Sequence, residues 1–553
     1  MKMWELHSGQ RVGMTIKMIR RKIAGKGGPH RRRFIPALAA AGIAVALLFA
    51  IPAWAGPIWN MDGSGNWEVN NNWTPTSGYP DGAGQIATFG NVITTNRKVT
   101  VNNGVTVGSI IIDDNNKYTI SSKNSNRKLT LDATGSADAT ITINNTNGNG
   151  AHTINAYIIL YDNLDVTQNS SGTFTLASTI TENGGAKSLT KDGSGVLLLT
   201  RSGYSGATTI NAGTLRLGGN VLPGTGAVTV GGGTLDIQGY SPTVGAVTLT
   251  SGSITGSGGV LTGSSYAMQS GTVNAILGGT GVTLTKTTAD TVVLSGANTY
   301  SGVTTIVQGI LRLTSSGSIA NSPTIDVRSG GTFDVSAYNS YTLAAGKTLK
   351  GSGTIIAPSS GAGLVISGTV SPGASPGTQT VTGNVTWAPG GKYTWEVDKV
   401  TSPHQTDQSS LQGVDPGFDT ITISGTLDIT ATALNPFIID IWGLTHSGGH
   451  VEGAVENWDV DQAEHYDWVI ASAANITNFD PSKFLLDDTH FASNNKMNEA
   501  LGGKFEIRQG GNQIVLGFVP EPATRVFIAL GGLTRIFHQF FPVPYGATAF
   551  LLV

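Results

Sequence analysis

Seven residues near the end of the chain carry side chains suited to acid–base or metal chemistry: His446, His450, Asp459, Asp461, Glu464, His465 and Asp467. His446 and His450 stand at i, i+4, which on a helix would aim two imidazoles at one metal ion. Gly443, Gly448 and Gly449 disfavour a helix there. Asp459 and Asp461, followed by Glu464, offer oxygens of the kind calcium takes, but their spacing departs from the EF-hand loop. A solvated acidic loop is the expected reading. Between positions 183 and 395 the only carboxylates are Asp192, Asp236, Asp290, Asp326 and Asp334. A glycosidase needs two converging carboxylates, and a lyase a carboxylate with a base. Single aspartates beside turns are read instead as turn caps, and Asp236 and Asp334 hold matching places in TLDI and TFDV. Trp59, Trp67 and Trp73 offer either a sugar-stacking platform or a cap over an open end, and the cap is expected. No P-loop, nucleophile elbow or metalloprotease motif occurs. No catalytic residue, metal or cofactor is therefore assigned.

The elements that would position these residues are foreshadowed by composition. Of 553 residues 76 are glycine, none is cysteine and 12% are charged. This disfavours coiled coils and large helical domains, which are rich in Ala, Glu, Lys, Leu and Arg. No three-residue glycine period supports a collagen helix. A long β protein rich in Gly, Thr, Ser and Asn remains.

The middle of the chain repeats. Leu189-Thr190-Lys191 recurs as Leu284-Thr285-Lys286, an offset of 95. Tyr204-Ser205-Gly206 recurs as Tyr300-Ser301-Gly302, and Leu215-Arg216-Leu217 as Leu311-Arg312-Leu313, both at an offset of 96. Thr208-Thr209-Ile210 and Gly213 recur in the same register as Thr304-Thr305-Ile306 and Gly309. Inside each copy, β-branched and apolar residues form short strand-like runs between glycine turns. Strands so short cannot bury their apolar side alone, and stacking them in parallel register solves this. The expected fold is all-β, a right-handed parallel β-helix. With coils of roughly 24 residues the offset spans four turns, and about 14 coils give a rod of order 65 Å at the spacing of paired strands.

This repeat is similar to the autotransporter-associated β-strand repeat, strongly over 190–220 and well over 284–316. Ser371-Pro372-Gly373-Ala374-Ser375-Pro376-Gly377 resembles a turn late in such passengers. The resemblance implies an exported, passenger-like β-helix. Residues 396–517 are too short for the membrane barrel of a true autotransporter, so self-translocation is not expected. Residues 57–95, with their spaced tryptophans, resemble the start of many bacterial surface proteins.

The two ends read as address labels. A basic stretch ending in Arg31-Arg32-Arg33 precedes the apolar run Phe34–Ile51, and Ala53-Trp54-Ala55 fits a signal-peptidase site. An uncleaved anchor is the alternative. Cleavage after Ala55 removes ten of 33 Lys/Arg and one of 35 acidic residues, leaving a net charge of −11. Nucleic-acid binding is disfavoured at that charge. At the far end, Val519-Pro520-Glu521-Pro522 and the apolar run 526–533 resemble the PEP-CTERM sorting signal of Gram-negative bacteria. That resemblance implies an exosortase-type sorting enzyme and extracellular polysaccharide as partners. Arg535, His538 and the prolines beyond depart from its pattern, which puts membrane insertion of the tail in doubt.

The expected organisation is a signal peptide (1–55), a cap with the first coils (56–185), the repeat β-helix (186–395), a separate β-rich module (396–517) and a degenerate sorting tail (518–553). The expected role is an exported, non-enzymatic structural or adhesive protein of the cell surface. A polysaccharide-active enzyme or carbohydrate-binding protein on the same fold is the alternative.

Overall fold

In the computed structural model, residues 56–144, 151–401, 406–415, 417–446, 449–458, 465–495 and 503–520 are described. All belong to the compact unit Ala55–Val553. The expected signal segment with Ala53 and Ala55, the acidic residues Asp459, Asp461 and Glu464, and the tail from Glu521 and Pro522 onward lie outside the described residues.

The chain is a parallel β-solenoid of about 14 turns with almost no helix. The one α-helix among the described residues is Thr489–Ala492, and no described helix is long and apolar enough to cross a membrane. The cause is visible strand by strand. Ser109–Ile112, Thr173–Leu176 and Val196–Leu199 alternate partly exposed and buried positions, the period of a pleated strand with one face inward. Each inward Ile, Leu or Val stacks on its counterpart one turn away: Ile110 pairs with Ile141, and Ile141 with Val166.

Two continuous parallel ladders run the length of the molecule. One passes from Ile86–Phe89 through Leu189–Asp192 to Lys392–Val397. The other runs from Arg97–Val101 through Val196–Leu199 to Thr420–Ile423. A third side is paired only in stretches, over 105–182, 260–278 and 340–477.

Turn length differs from the expected coil. Leu189 pairs with Thr208, then the path steps to Val228, Val247, Tyr266 and Leu284. The 95-residue offset is therefore five turns of 18–20 residues rather than four of about 24. Each of these turns closes with fewer residues, including the two whose third side pairs Val260–Thr262 with Ile276–Gly278. Gly213 forms the corner between Thr208–Ile210 on one ladder and Thr214–Leu217 on the other: its φ is +61°, and a Cβ there would strike the carbonyl oxygens of Gly193 and Gly195 on the preceding turn.

The ladders do not stop at 396. Lys392–Val397 pairs with Phe437–Gly443, which pairs with Phe484–Asp487, so the expected separate module continues the same solenoid. What changes is turn length: two steps of 46 and 47 residues carry long excursions before rejoining the ladder. The composition shift near 396 reflects those excursions.

Both ends of the ladder are covered. Trp59, Trp67 and Trp73 are fully buried with Phe89, at ring-centroid distances of 5.2–6.0 Å. Their indole N–H groups donate to the carbonyls of Met61, Pro80 and Trp67. A buried ring presents no face to a sugar, so the sugar-stacking alternative is corrected: these residues pack the first turns. At the other end, Gly503–Gly510 and Gln513–Pro520 form an antiparallel hairpin laid against Tyr466–Ser472.

Candidate functional site

The residues repeated between the two copies serve the scaffold. Lys191 and Lys286 are fully buried. The Lys191 ammonium donates to the carbonyls of Asp192 (2.8 Å), Gly193 (2.8 Å) and Ala212 (3.1 Å). Lys286 does the same for Thr288 and Gln308. The hydroxyls of Tyr204 and Tyr300 meet Thr208 and Thr304 at 2.8 and 2.7 Å. Arg216 and Arg312 pair with Asp236 and Asp334 one turn away, at 2.9 and 2.6 Å. Asp236 also accepts from the Gln238 N–H and Asp334 from the Ser336 N–H, the turn-capping role expected of both.

Chemistry-bearing side chains converge at a different place. Asp326, Lys350 and Ser371 occupy one register position on three successive turns, roughly 4.8 Å apart. With Arg328, Ser375 and Glu396 they line an open groove of about 590 Å³. Asp419 frames it: its fully buried carboxylate accepts from the backbone N–H of Gly377 (2.7 Å) and of Glu396 (3.1 Å). Ser375, at φ +86°, lies in a backbone region that non-glycine residues rarely occupy, and its hydroxyl bonds Glu396. Burial pushes the Glu396 carboxyl above the ordinary carboxylate range, with the Ser375 bond, His450 and Lys350 opposing. Burial likewise raises Asp419 well above that range.

The strand that carries Glu396 places a second cluster beside the first. Tyr393, Trp395 and Val397 point into the core, so Lys392, Thr394 and Glu396 take the opposite face, and Asp398 follows at the next alternate position. Asp398 is fully buried because the excursions fold over it. One of its oxygens accepts from the Gly417 N–H at 2.6 Å, and the other lies 3.1 Å from His446 Nδ1 and 3.4 Å from His450 Nδ1. Asp415 approaches the same imidazoles, at 3.4 Å from His446 Nδ1 and 3.4 Å from His450 Nε2. One ligand atom from each of the four residues lies within 4.8 Å of every other. Desolvation raises the Asp398 carboxyl, opposed by the Gly417 and His446 bonds.

This arrangement divides the expected His/Asp cluster. His446 and His450 come together in a turn rather than on a helix, as the glycines around them require. Their partners are Asp398 and Asp415. His465 and Asp467 sit elsewhere, paired with each other at 2.8 Å, with Arg508 on Asp467 at 2.5 Å. Glu396, Lys350, Asp398 and Asp415 were not singled out from the sequence. The readable signal was the alternation K-Y-T-W-E-V-D over 392–398, which sets Glu396 and Asp398 on one side of a strand. Of the expected sorting motif, Val519 and Pro520 pair with Lys504 and Gly503 in the terminal hairpin.

Residues 189–217 and 284–313 match the family of the passenger-associated-transport-repeat. Two stretches of this chain are thus passenger repeats in pattern. They coincide with the segments whose lysine, tyrosine and arginine residues tie one turn to the next. Among curated proteins, the chain is similar to the "Adhesin BmaC autotransporter" of Brucella suis biovar 1 (strain 1330), 41% identical over 104 residues. That alignment covers 18% of this chain and 3% of the relative. No solved structure matches significantly.

Proposed function

We propose that this chain is an exported β-solenoid of the Gram-negative cell surface or extracellular matrix, with a structural and adhesive role and no enzymatic turnover. The observation that carries this reading is the use of the repeat residues. The repeated lysine, tyrosine, arginine and aspartate side chains are all engaged within the scaffold, which leaves outward rows of Thr, Ser and Asn for contact. Similarity over a short stretch to an autotransporter adhesin supports the same role. The mechanism is multivalent: weak contacts repeated along a rigid rod sum to a strong one. Extracellular polysaccharide is the proposed partner. An exosortase-type enzyme acting at Val519-Pro520-Glu521-Pro522 is the proposed sorting partner.

The groove favours a second reading, a carbohydrate-binding or carbohydrate-cleaving site. Lys350 and Arg328 beside Asp326 and Glu396 suit an uronate or hydroxyl-rich chain. As a glycosidase pair, however, Asp326 and Glu396 belong to turns three steps apart, roughly 14 Å along the axis, beyond the separation that either stereochemical course uses. Asp398, nearer to Glu396, is buried away from any substrate. Binding is therefore the stronger form of this alternative.

A glycan array and a polysaccharide-depolymerisation assay on the purified chain test both readings. The expected outcome is polysaccharide binding without product release, weakened by Lys350→Ala. Product release abolished by Glu396→Gln would overturn the non-enzymatic reading, and absence of binding to any polysaccharide or matrix would overturn the adhesive one.

A further inference from the structure

We propose that Asp398, Asp415, His446 and His450 form a site for a divalent transition-metal ion, zinc by preference, which fastens the two long excursions to the solenoid beside the groove. Asp398 belongs to the ladder itself. Asp415 comes from the excursion that follows it, and His446 and His450 from the excursion after the strand Phe437–Gly443. The four residues span 53 positions of sequence, so their convergence is a product of the fold.

The geometry fits a small tetrahedral ion. Zinc holds imidazole nitrogen and carboxylate oxygen at about 2.0–2.2 Å, which separates neighbouring ligand atoms by roughly 3.3 Å. With Nδ1 as the His450 donor, the nitrogen–oxygen separations are 3.1 and 3.4 Å from His446 Nδ1 to Asp398 and Asp415, and 3.4 Å from His450 Nδ1 to Asp398, and one ligand atom from each of the four residues lies within 4.8 Å of the others. The His450 ring lies between the carboxylates, Nδ1 toward Asp398 and Nε2 toward Asp415, so either nitrogen can complete the set. His450 Nδ1 is buried and has no aligned hydrogen-bond partner, although Asp398 Oδ2 is 3.4 Å away. An orphaned buried nitrogen facing a fully buried carboxylate is what a bound cation would satisfy. The Gly417 N–H on the other oxygen of Asp398 supplies the outer support that orients a ligating carboxylate. Calcium is a poorer match, because it takes six to eight oxygens and two of the donors here are imidazoles.

The test is titration of the purified, chelator-stripped full chain with Co²⁺ and Zn²⁺. The expected result is one equivalent bound, with the intense visible absorption of four-coordinate cobalt bleached by zinc, and increased hydrogen-exchange protection over 406–415 and 449–458. Loss of an outer-sphere partner costs up to about 100-fold in affinity, so His446→Ala and His450→Ala should each weaken binding by at least that much. His465→Ala, outside the cluster, should leave it unchanged. Should the histidine variants fail to fold, Asp415→Asn, nearly half exposed at its side chain, provides the same readout. Absence of tight binding, binding indifferent to these substitutions, or binding of Ca²⁺ alone would each overturn the proposal. These outcomes are independent of whether polysaccharide is bound.

Discussion

At the scale of single residues, the chain uses charged and polar side chains as internal fasteners. Lys191 shows this best, since a lysine in the core of a stack is ordinarily a liability. Three carbonyls around its ammonium replace water. Lys191→Met keeps the apolar stem but leaves the acceptors unsatisfied, a cost of about 2–3 kcal/mol. Limited proteolysis of the 189–217 segment should detect it, and unchanged resistance would contradict the assigned role. The repetition of lysine was legible in the sequence, but its burial was not, because a Thr-Lys pair beside a turn reads equally well as exposed. His152 extends the argument to pH. It is fully buried, its Nδ1 accepts from the Tyr118 N–H at 3.1 Å, and desolvation lowers its pKa from 6.5 to about 4. Between those values the unfolded chain binds a proton that the folded chain does not. Its stabilising contribution is therefore complete above about pH 6.5 and lost as pH falls toward 4, by roughly 3 kcal/mol. Hydrogen exchange in Tyr118–Ser122 and Thr153–Ile154, corrected for intrinsic rates, should accelerate across that window. His152→Gln, which keeps an acceptor but cannot titrate there, should remove the acceleration.

At the scale of elements, the unit is one turn, and its length depends on how tightly the corners close. The sequence shows that 95 residues repeat but not into how many turns they divide, since four longer turns and five shorter ones carry the same period-2 strands. The deciding fact is how short the segment is that leads from the second ladder back to the first, which no local pattern encodes. Glycine does the closing at specific corners only. Gly213→Ala places a methyl against two carbonyl oxygens at a positive φ, while Gly224 has no neighbour near its would-be Cβ and no such φ. The first substitution should cost at least about 2 kcal/mol and the second almost nothing. A shift in the urea-unfolding transition for Gly213→Ala, with none for Gly224→Ala, is the expected pair of results. Equal effects would mean that corner geometry is not what sets turn length. The excursions follow the same logic in reverse. The composition of 396–517 reads as a separate module, yet the strands that bracket its excursions pair in register with the solenoid. Asp398 and Asp415 escaped notice for this reason, as only the closed turn brings them to His446 and His450.

At the scale of the whole molecule, a stack of parallel strands has two ends, and each exposes a row of backbone groups able to recruit another chain. The first end is packed by an aromatic cluster that the sequence announced through its tryptophan spacing. The second is closed by reversing direction: the hairpin Gly503–Gly510 and Gln513–Pro520 ends the parallel ladder with antiparallel pairing. Its outermost strand alternates Phe505 and Ile507 inward with Lys504, Glu506 and Arg508 on the more exposed side. Charges on an edge strand discourage pairing because a second copy would have to bury them without water. Arg508 is also tied to Asp467, so the other two positions isolate the edge effect. Lys504→Val combined with Glu506→Val keeps β propensity while removing both charges. The double variant should retain the far-ultraviolet spectrum of the parent but associate end to end, seen as a rise in light scattering that grows with concentration. A variant that stays monodisperse at concentrations where the parent does would show that the edge is protected by the direction of the hairpin rather than by its charges.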